Sequence, residues 1–184
     1  AVINGAVEAI RDRYDIGSGA LAQVIAIALI GGAIGAATAG RIADRIGRIP
    51  CMRIAAVLFT ASAVGSALPF ALWDLAMWRI VGGFAIGMAS VIGPAYIAEV
   101  SPPVHRGRLA SFQQAAIVLG IAVSQLVNWG LLHAAGGDQR GSLLGVEAWQ
   151  VMLGVMVVPA LAYGLLSFVI PESPRYLLTV GRER

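Results

Sequence analysis

Long apolar runs separated by short charged segments set the pattern of this chain. Five runs, residues 20–39, 54–73, 75–98, 109–133 and 148–170, are each long enough for an α-helix to cross the hydrocarbon core of a bilayer. The segment before them, residues 1–10, is apolar too and reads as the tail of a further helix that starts ahead of Ala1, so the chain is read as a truncated piece. The pattern predicts an all-α bundle spanning 1–170, followed by a polar segment, 171–184, that begins a linker on one side of the membrane. Gly40 and Gly47 are expected to turn the chain between the first two long runs, and Pro50 to delay the second helix.

Composition agrees with the pattern. The chain is 58% hydrophobic and 12% charged, with mean hydropathy +0.80, far from the balance of a water-soluble domain. All 13 basic residues are arginine, and their distribution gives an orientation. Arg41, Arg45, Arg48, Arg53, Arg106, Arg108, Arg175, Arg182 and Arg184 fall on one side, Arg11, Arg13 and Arg140 on the other, and Arg79 lies within a span. The positive-inside rule makes the richer side cytoplasmic, and the basic pI then reflects topology and anionic lipid rather than nucleic acid. One cysteine, Cys51, excludes an internal disulfide. His105 and His133 lie at opposite ends of one span, roughly 30 Å apart, too far to share a metal or a triad. No metal site, cofactor motif or catalytic constellation is called for, so the chain is not read as an enzyme.

Within the spans, Gly31, Gly32, Gly35, Gly83 and Gly87 are spaced for close helix packing; a phosphate-cradling loop would need a preceding strand and a Lys-Ser/Thr ending. The 54–73 run reads as a peripheral, lipid-facing helix whose Thr60, Ser62 and Ser66 bond back to their own backbone. Trp149 reads as an interfacial anchor, and residues 134–147 as a flexible connection. Arg79 has two readings: a functional charge facing a wet cavity, or a side chain that snorkels to the interface. At 100° per residue, Gln114, Ile121, Gln125 and Asn128 share one helix face. Amides there suit a neutral polyol, which needs both donors and acceptors, or equally amide bonds between helices. Asp44, Arg45, Arg48, Glu99, Arg106, Glu172 and Arg175 place opposite charges in all three inner loops, either as solvated loop charge or as a network that biases a conformational equilibrium.

Taken together, Gly40-Arg-Ile-Ala-Asp-Arg-Ile-Gly-Arg48, Arg79-Ile-Val-Gly-Gly83, Pro94-Ala-Tyr-Ile-Ala-Glu99, Arg106-Gly-Arg108, Gln114 with Gly120-Ile121, and Pro171-Glu-Ser-Pro-Arg175 resemble the sugar porter family of the major facilitator superfamily. The resemblance runs nearly end to end and is to bacterial xylose-proton symporters and facilitative glucose transporters. It implies the N-terminal six-helix half of a twelve-helix transporter, lacking the start of its first helix, with the substrate site at the midplane between this half and a missing C-terminal half. It further implies sugar contacts from Gln114 and Gln125, proton coupling through Arg79 with an aspartate ahead of Ala1, and an inner-face network that stabilises the outward-facing state. The expected partners are a sugar or polyol, a proton and membrane lipid, in a multi-pass cell-membrane protein. A transporter-like sugar sensor, or a non-transporting remnant, is the alternative. Two departures from the family pattern each remove a charge: Ile49 replaces a second basic residue, and Gln150 follows Trp149 where arginine is usual.

Overall fold

The structure, a computed structural model, describes residues 10–11, 17–138, 141–143 and 145–181. Expectations for residues 1–9, Arg13, Arg140, Arg182 and Arg184 lie outside these residues. Among the described residues, five helical segments are long and apolar enough to cross a membrane. They are α1 (Ser18–Ile46), α2 (Arg48–Ala67), α3 (Leu72–Val100), α4 (Arg106–Ala134), entered through a 3-10 turn at Pro103–His105, and a broken span made of α5 (Ala148–Gly154) and α6 (Val157–Leu166). A short helix, α7 (Pro174–Thr179), follows.

The charged stretch after the first apolar run is not a loop. α1 continues through Gly40 to Ile46, Gly47 alone breaks the helix at φ 100°, and α2 starts at Arg48. Gly40 is therefore mid-helix, and Pro50 lies in the first turn of α2, where a missing N–H costs nothing because that donor has no helical partner. Pro94 is likewise inside α3, which runs on to Val100. The break in the last span has a local cause: Pro159 cannot donate to the Val155 carbonyl, and Val158 N–H bonds Val155 instead at 3.1 Å. The 134–147 connection contains a hairpin pairing Ser142 with Glu147 and Leu143 with Val146. Glu147 then caps α5, its side chain and that of Gln150 completing a reciprocal pair. Arginine at position 150 would lack the acceptor oxygen this pair uses.

α1 and α3 lie side by side and parallel. A Cβ on Gly31 would fall on the Ile80 carbonyl, one on Gly35 on that of Phe84, one on Gly83 on that of Ala28, and one on Gly87 on that of Gly32. The glycines thus bring two backbones into contact, the role expected of them. α2 packs on the other side of α3 with the largest buried share of the five spans, and leaves Val57 and Val64 exposed on its outer face. Ser62 bonds across to the Trp78 carbonyl at 2.6 Å rather than to its own helix, while Thr60 does bond back, to Ala56 at 2.8 Å.

Two apolar clusters mark the ends of the bundle. One gathers Ile10, Val24, Ala67, Leu75, Trp149 and Leu153; Trp149 is fully buried there rather than anchoring at an interface. The other gathers Ala39, Ala43, Ile49, Cys51, Met52, Met88, Ile92 and Tyr96 beside the charged end. Ile49, the uncharged departure from the expected basic pair, is buried in it, 4% exposed.

Candidate functional site

At the charged end, Arg48 is the hub. Its Nη2 lies 2.9 Å from Glu99 Oε1 and 3.1 Å from Asp44 Oδ1, and its Nη1 donates to the Ala43 carbonyl at 3.1 Å. The Arg48 and Glu99 side chains are only 12% and 10% exposed, against 71% for Asp44. Shielding makes the Arg48–Glu99 pair strong, and exposure leaves Asp44 with little weight. Ser173 donates its hydroxyl to the other Glu99 oxygen, Oε2. Beside it, Glu172 accepts the backbone N–H of Arg48 at 3.0 Å and of Ile49 at 3.1 Å, the first donors of α2, and that of Ser173 at 2.9 Å. A carboxylate on a helix N-terminus both satisfies orphan donors and meets the positive end of the dipole. Tyr176 donates to the Arg45 carbonyl at 3.2 Å and lies under the Arg48 guanidinium, and Tyr96 donates to the Pro171 carbonyl at 2.8 Å. Residues 171–176 are thereby fastened to the ends of α1, α2 and α3.

The seven charges expected here divide. Asp44, Arg48, Glu99 and Glu172 come together. Arg45, Arg106 and Arg175 are exposed and make no ion pair among the described residues, although Arg106 Nε donates to the Ser101 carbonyl that closes α3, at 3.2 Å. Arg106 and Arg48 are at the same end of the bundle, since Ser101 follows Glu99 by two residues. Sequence reasoning missed Ser173, Tyr176 and Tyr96, whose hydroxyls complete the network. The one signal for Ser173 was its position directly after Glu172.

A second feature is a cleft of about 800 Å³ between α1 and α3, with Arg79 in its wall beside Ala26, Leu29, Ala33, Gly83 and Ser90. Arg79 Nε is buried with no hydrogen-bond partner among the described residues.

α4 packs least of the spans. Gln114, Ile121 and Gln125 are exposed on it, whereas Asn128 is turned inward and 6% exposed. Gln114 lies in a shallow concavity with Ser111, Val118 and Ala122; it does not share the Arg79 cleft. Its neighbour Gln113, not singled out from the sequence, is half-buried and lines a separate pocket of about 450 Å³ with Ser90, Phe59 and Tyr163.

The described residues hold no group of histidine, cysteine and carboxylate side chains that could bind a metal. A family model described as "Sugar (and other) transporter" matches residues 11–184. The chain belongs to this family. It is a sugar porter of the major facilitator superfamily, a family of transporters and not of enzymes. Over 99% of its length it is 52% identical to the "Glucose transport protein" of Synechocystis sp., of which it covers 39%. Over its whole length it is 35% identical to the "D-xylose-proton symporter" of Escherichia coli (strain K12), covering 42%. It therefore spans about two fifths of the length of these relatives. Among solved structures, it matches the proton:xylose symporter XylE bound to 6-bromo-6-deoxy-D-glucose with TM-score 0.89 at 36% identity, over 99% of this chain and 43% of that one. Against a partially occluded inward-open conformation of XylE the TM-score is 0.90, again over 99% of this chain and 48% of that one. The chain is thus part of a multi-pass membrane protein with the fold of the N-terminal half of a sugar porter.

Proposed function

We propose that the protein containing this chain moves a monosaccharide or related polyol across the cell membrane by alternating access, coupled to proton symport. The observation that carries the reading is the uncovered face of α4. Gln114 and Gln125 are exposed on a helix of membrane-spanning length, and amides cannot be left to hydrocarbon, where each unmet donor or acceptor is costly. A hydroxyl-rich neutral ligand meets both halves of an amide. Ile121 lines the same face and supplies apolar contact, and Asn128, turned inward, closes it toward the C-terminal end of α4. In this reading Arg79 is the coupling cation, and the arginine-rich end faces the cytoplasm. The Arg48, Glu99, Glu172 and Ser173 cluster is a latch, formed in one state and released in the other. The names of the relatives, a glucose transport protein and a xylose-proton symporter, support the substrate class.

Gln114→Ala in the full-length protein reconstituted in liposomes tests the site. Losing one amide that makes one or two hydrogen bonds to sugar lowers uptake at sub-saturating sugar about 5- to 30-fold; an unchanged rate removes Gln114 from the site. Arg79→Gln tests coupling: sugar counterflow continues while accumulation driven by a proton gradient is lost. If accumulation survives, Arg79 is not the coupling group.

A further inference from the structure

Arg53 is an arginine that the network does not absorb. It stands on α2 five residues beyond Arg48, hence about 7.5 Å further along the helix toward the membrane interior. Arg48 meets two carboxylates, but Arg53 meets none among the described residues. Its Nη2 donates to the Ser167 carbonyl at 3.3 Å, its Nε is buried with no partner among the described residues, and its guanidinium is stacked on the Phe168 ring, 4.1 Å from the centroid. Arg53 closes one end of a groove of about 440 Å³ between α2 and α6. The groove is open because Gly164 and Ala56 form its floor; a Cβ at Gly164 would come within 3.2 Å of the Ala56 methyl. Its walls are Val57, Ala61, Leu161, Leu165 and Phe168, and Val57, Leu165 and Phe168 are each more than two-thirds exposed. Thr60, the other polar residue there, has its hydroxyl engaged by Ala56.

We infer that this groove seats one anionic phospholipid, with its phosphodiester on Arg53 and an acyl chain laid along Val57, Leu161 and Leu165. Three observations lead to this occupant. The charge at the groove end has no carboxylate partner among the described residues; a guanidinium fork suits a phosphodiester, and the uncompensated charge favours a net-anionic headgroup over a zwitterionic one. The depth of Arg53, one to two turns inside the carboxylate cluster, suits the boundary between headgroups and acyl chains. The remainder of the wall is aliphatic and exposed, a surface that a hydrocarbon chain covers and a water-soluble anion does not. Stacking on Phe168 holds the guanidinium plane at the groove mouth, so the site is formed before the lipid arrives.

The test is native mass spectrometry of the full-length protein in detergent, titrated with phosphatidylglycerol or with phosphatidylcholine of the same chains. One tight equivalent of phosphatidylglycerol is expected, held about fivefold more tightly than phosphatidylcholine, the effect of one basic residue near an anionic headgroup. Arg53→Gln removes that preference while the variant stays folded, its elution from a sizing column matching the parent, and Arg53→Lys keeps it. Leu161→Trp, which fills the groove while leaving the charge, lowers the retention of both lipids. The inference is overturned if Arg53→Gln keeps the preference, if Leu161→Trp retains lipid as the parent does, or if inorganic phosphate alone gives the same Arg53-dependent adduct. None of these readouts depends on sugar.

Discussion

Replacing Glu172 by alanine uncovers the start of α2, and the size of the effect follows from the contacts described. The carboxylate accepts the N–H groups of Arg48 at 3.0 Å and Ile49 at 3.1 Å and sits where the α2 dipole is positive. Capping side chains of this kind contribute about 0.5–2 kcal/mol, and hydrogen bonds to an ionised group about 1.5–3 kcal/mol when shielded. Glu172 is half-buried, so about 2 kcal/mol is a fair sum for both contacts, corresponding to a roughly 30-fold change in the equilibrium between docked and undocked residues 171–176. Hydrogen exchange by mass spectrometry on a peptide covering residues 47–52 reads it directly: the Arg48 and Ile49 amides exchange roughly 30-fold faster in Glu172→Ala. Glu172→Gln keeps an acceptor and loses the charge, so only the dipole contribution, about 0.3–1 kcal/mol, disappears and exchange rises about 2- to 5-fold. Exchange of these two amides changed by less than twofold in Glu172→Ala would refute the capping argument. Equal acceleration in the alanine and glutamine variants would refute the role of charge.

Other outcomes follow from neighbouring contacts. A double-mutant cycle on Arg48→Ala and Glu99→Ala, read from unfolding in mixed detergent, gives a coupling of about 1–3 kcal/mol, because the pair is shielded; a value near zero would class it with exposed surface pairs. Gly83→Val drives a side chain into the Ala28 carbonyl and lowers stability by about 1–3 kcal/mol, seen as a lower thermal midpoint. Gly40→Ala has the opposite sign, since nothing lies within 4 Å of its added Cβ and the residue is mid-helix; stability rises by up to about 1 kcal/mol. Gly47→Ala combines an unfavourable φ of 100° with a Cβ 2.5 Å from Glu172 Oε2. It costs at least about 1–2 kcal/mol and speeds exchange of the same Arg48 and Ile49 amides.

The spans were legible because charge marks their ends, and the family because its motifs are short and strictly placed. The ends of the helices were harder. Residues 40–46 are charged yet helical, since a helix does not stop where the hydrocarbon does; only the left-handed φ at Gly47 stops it. Pro50 looked like a break, but it falls in the first turn of α2. Trp149 looked like an anchor because an indole has an interfacial preference, yet its N–H is met by Glu147 at 2.7 Å, which allows full burial. In the charged cluster, residue type identified carboxylates and guanidiniums but not direction. Arg45 and Arg48 are alike in sequence, and only the second turns into the bundle. Hydroxyl groups carry neither charge nor periodicity, so Ser173 and Tyr96 gave no comparable signal. Gln113 and Gln114 are adjacent and about 100° apart on α4; which of them is covered depends on neighbours that spacing along one helix does not encode.

The cap on α2 comes from a residue 124 positions downstream. During synthesis at about 5–20 residues per second, the first two spans therefore wait roughly 6–25 s with those donors open. Closure of this end becomes possible only after the last described span has entered the membrane, so the contact also registers that the segment has been threaded in full. A nascent chain arrested between α4 and α5 leaves Glu99 without the Ser173 hydroxyl and the first donors of α2 without Glu172.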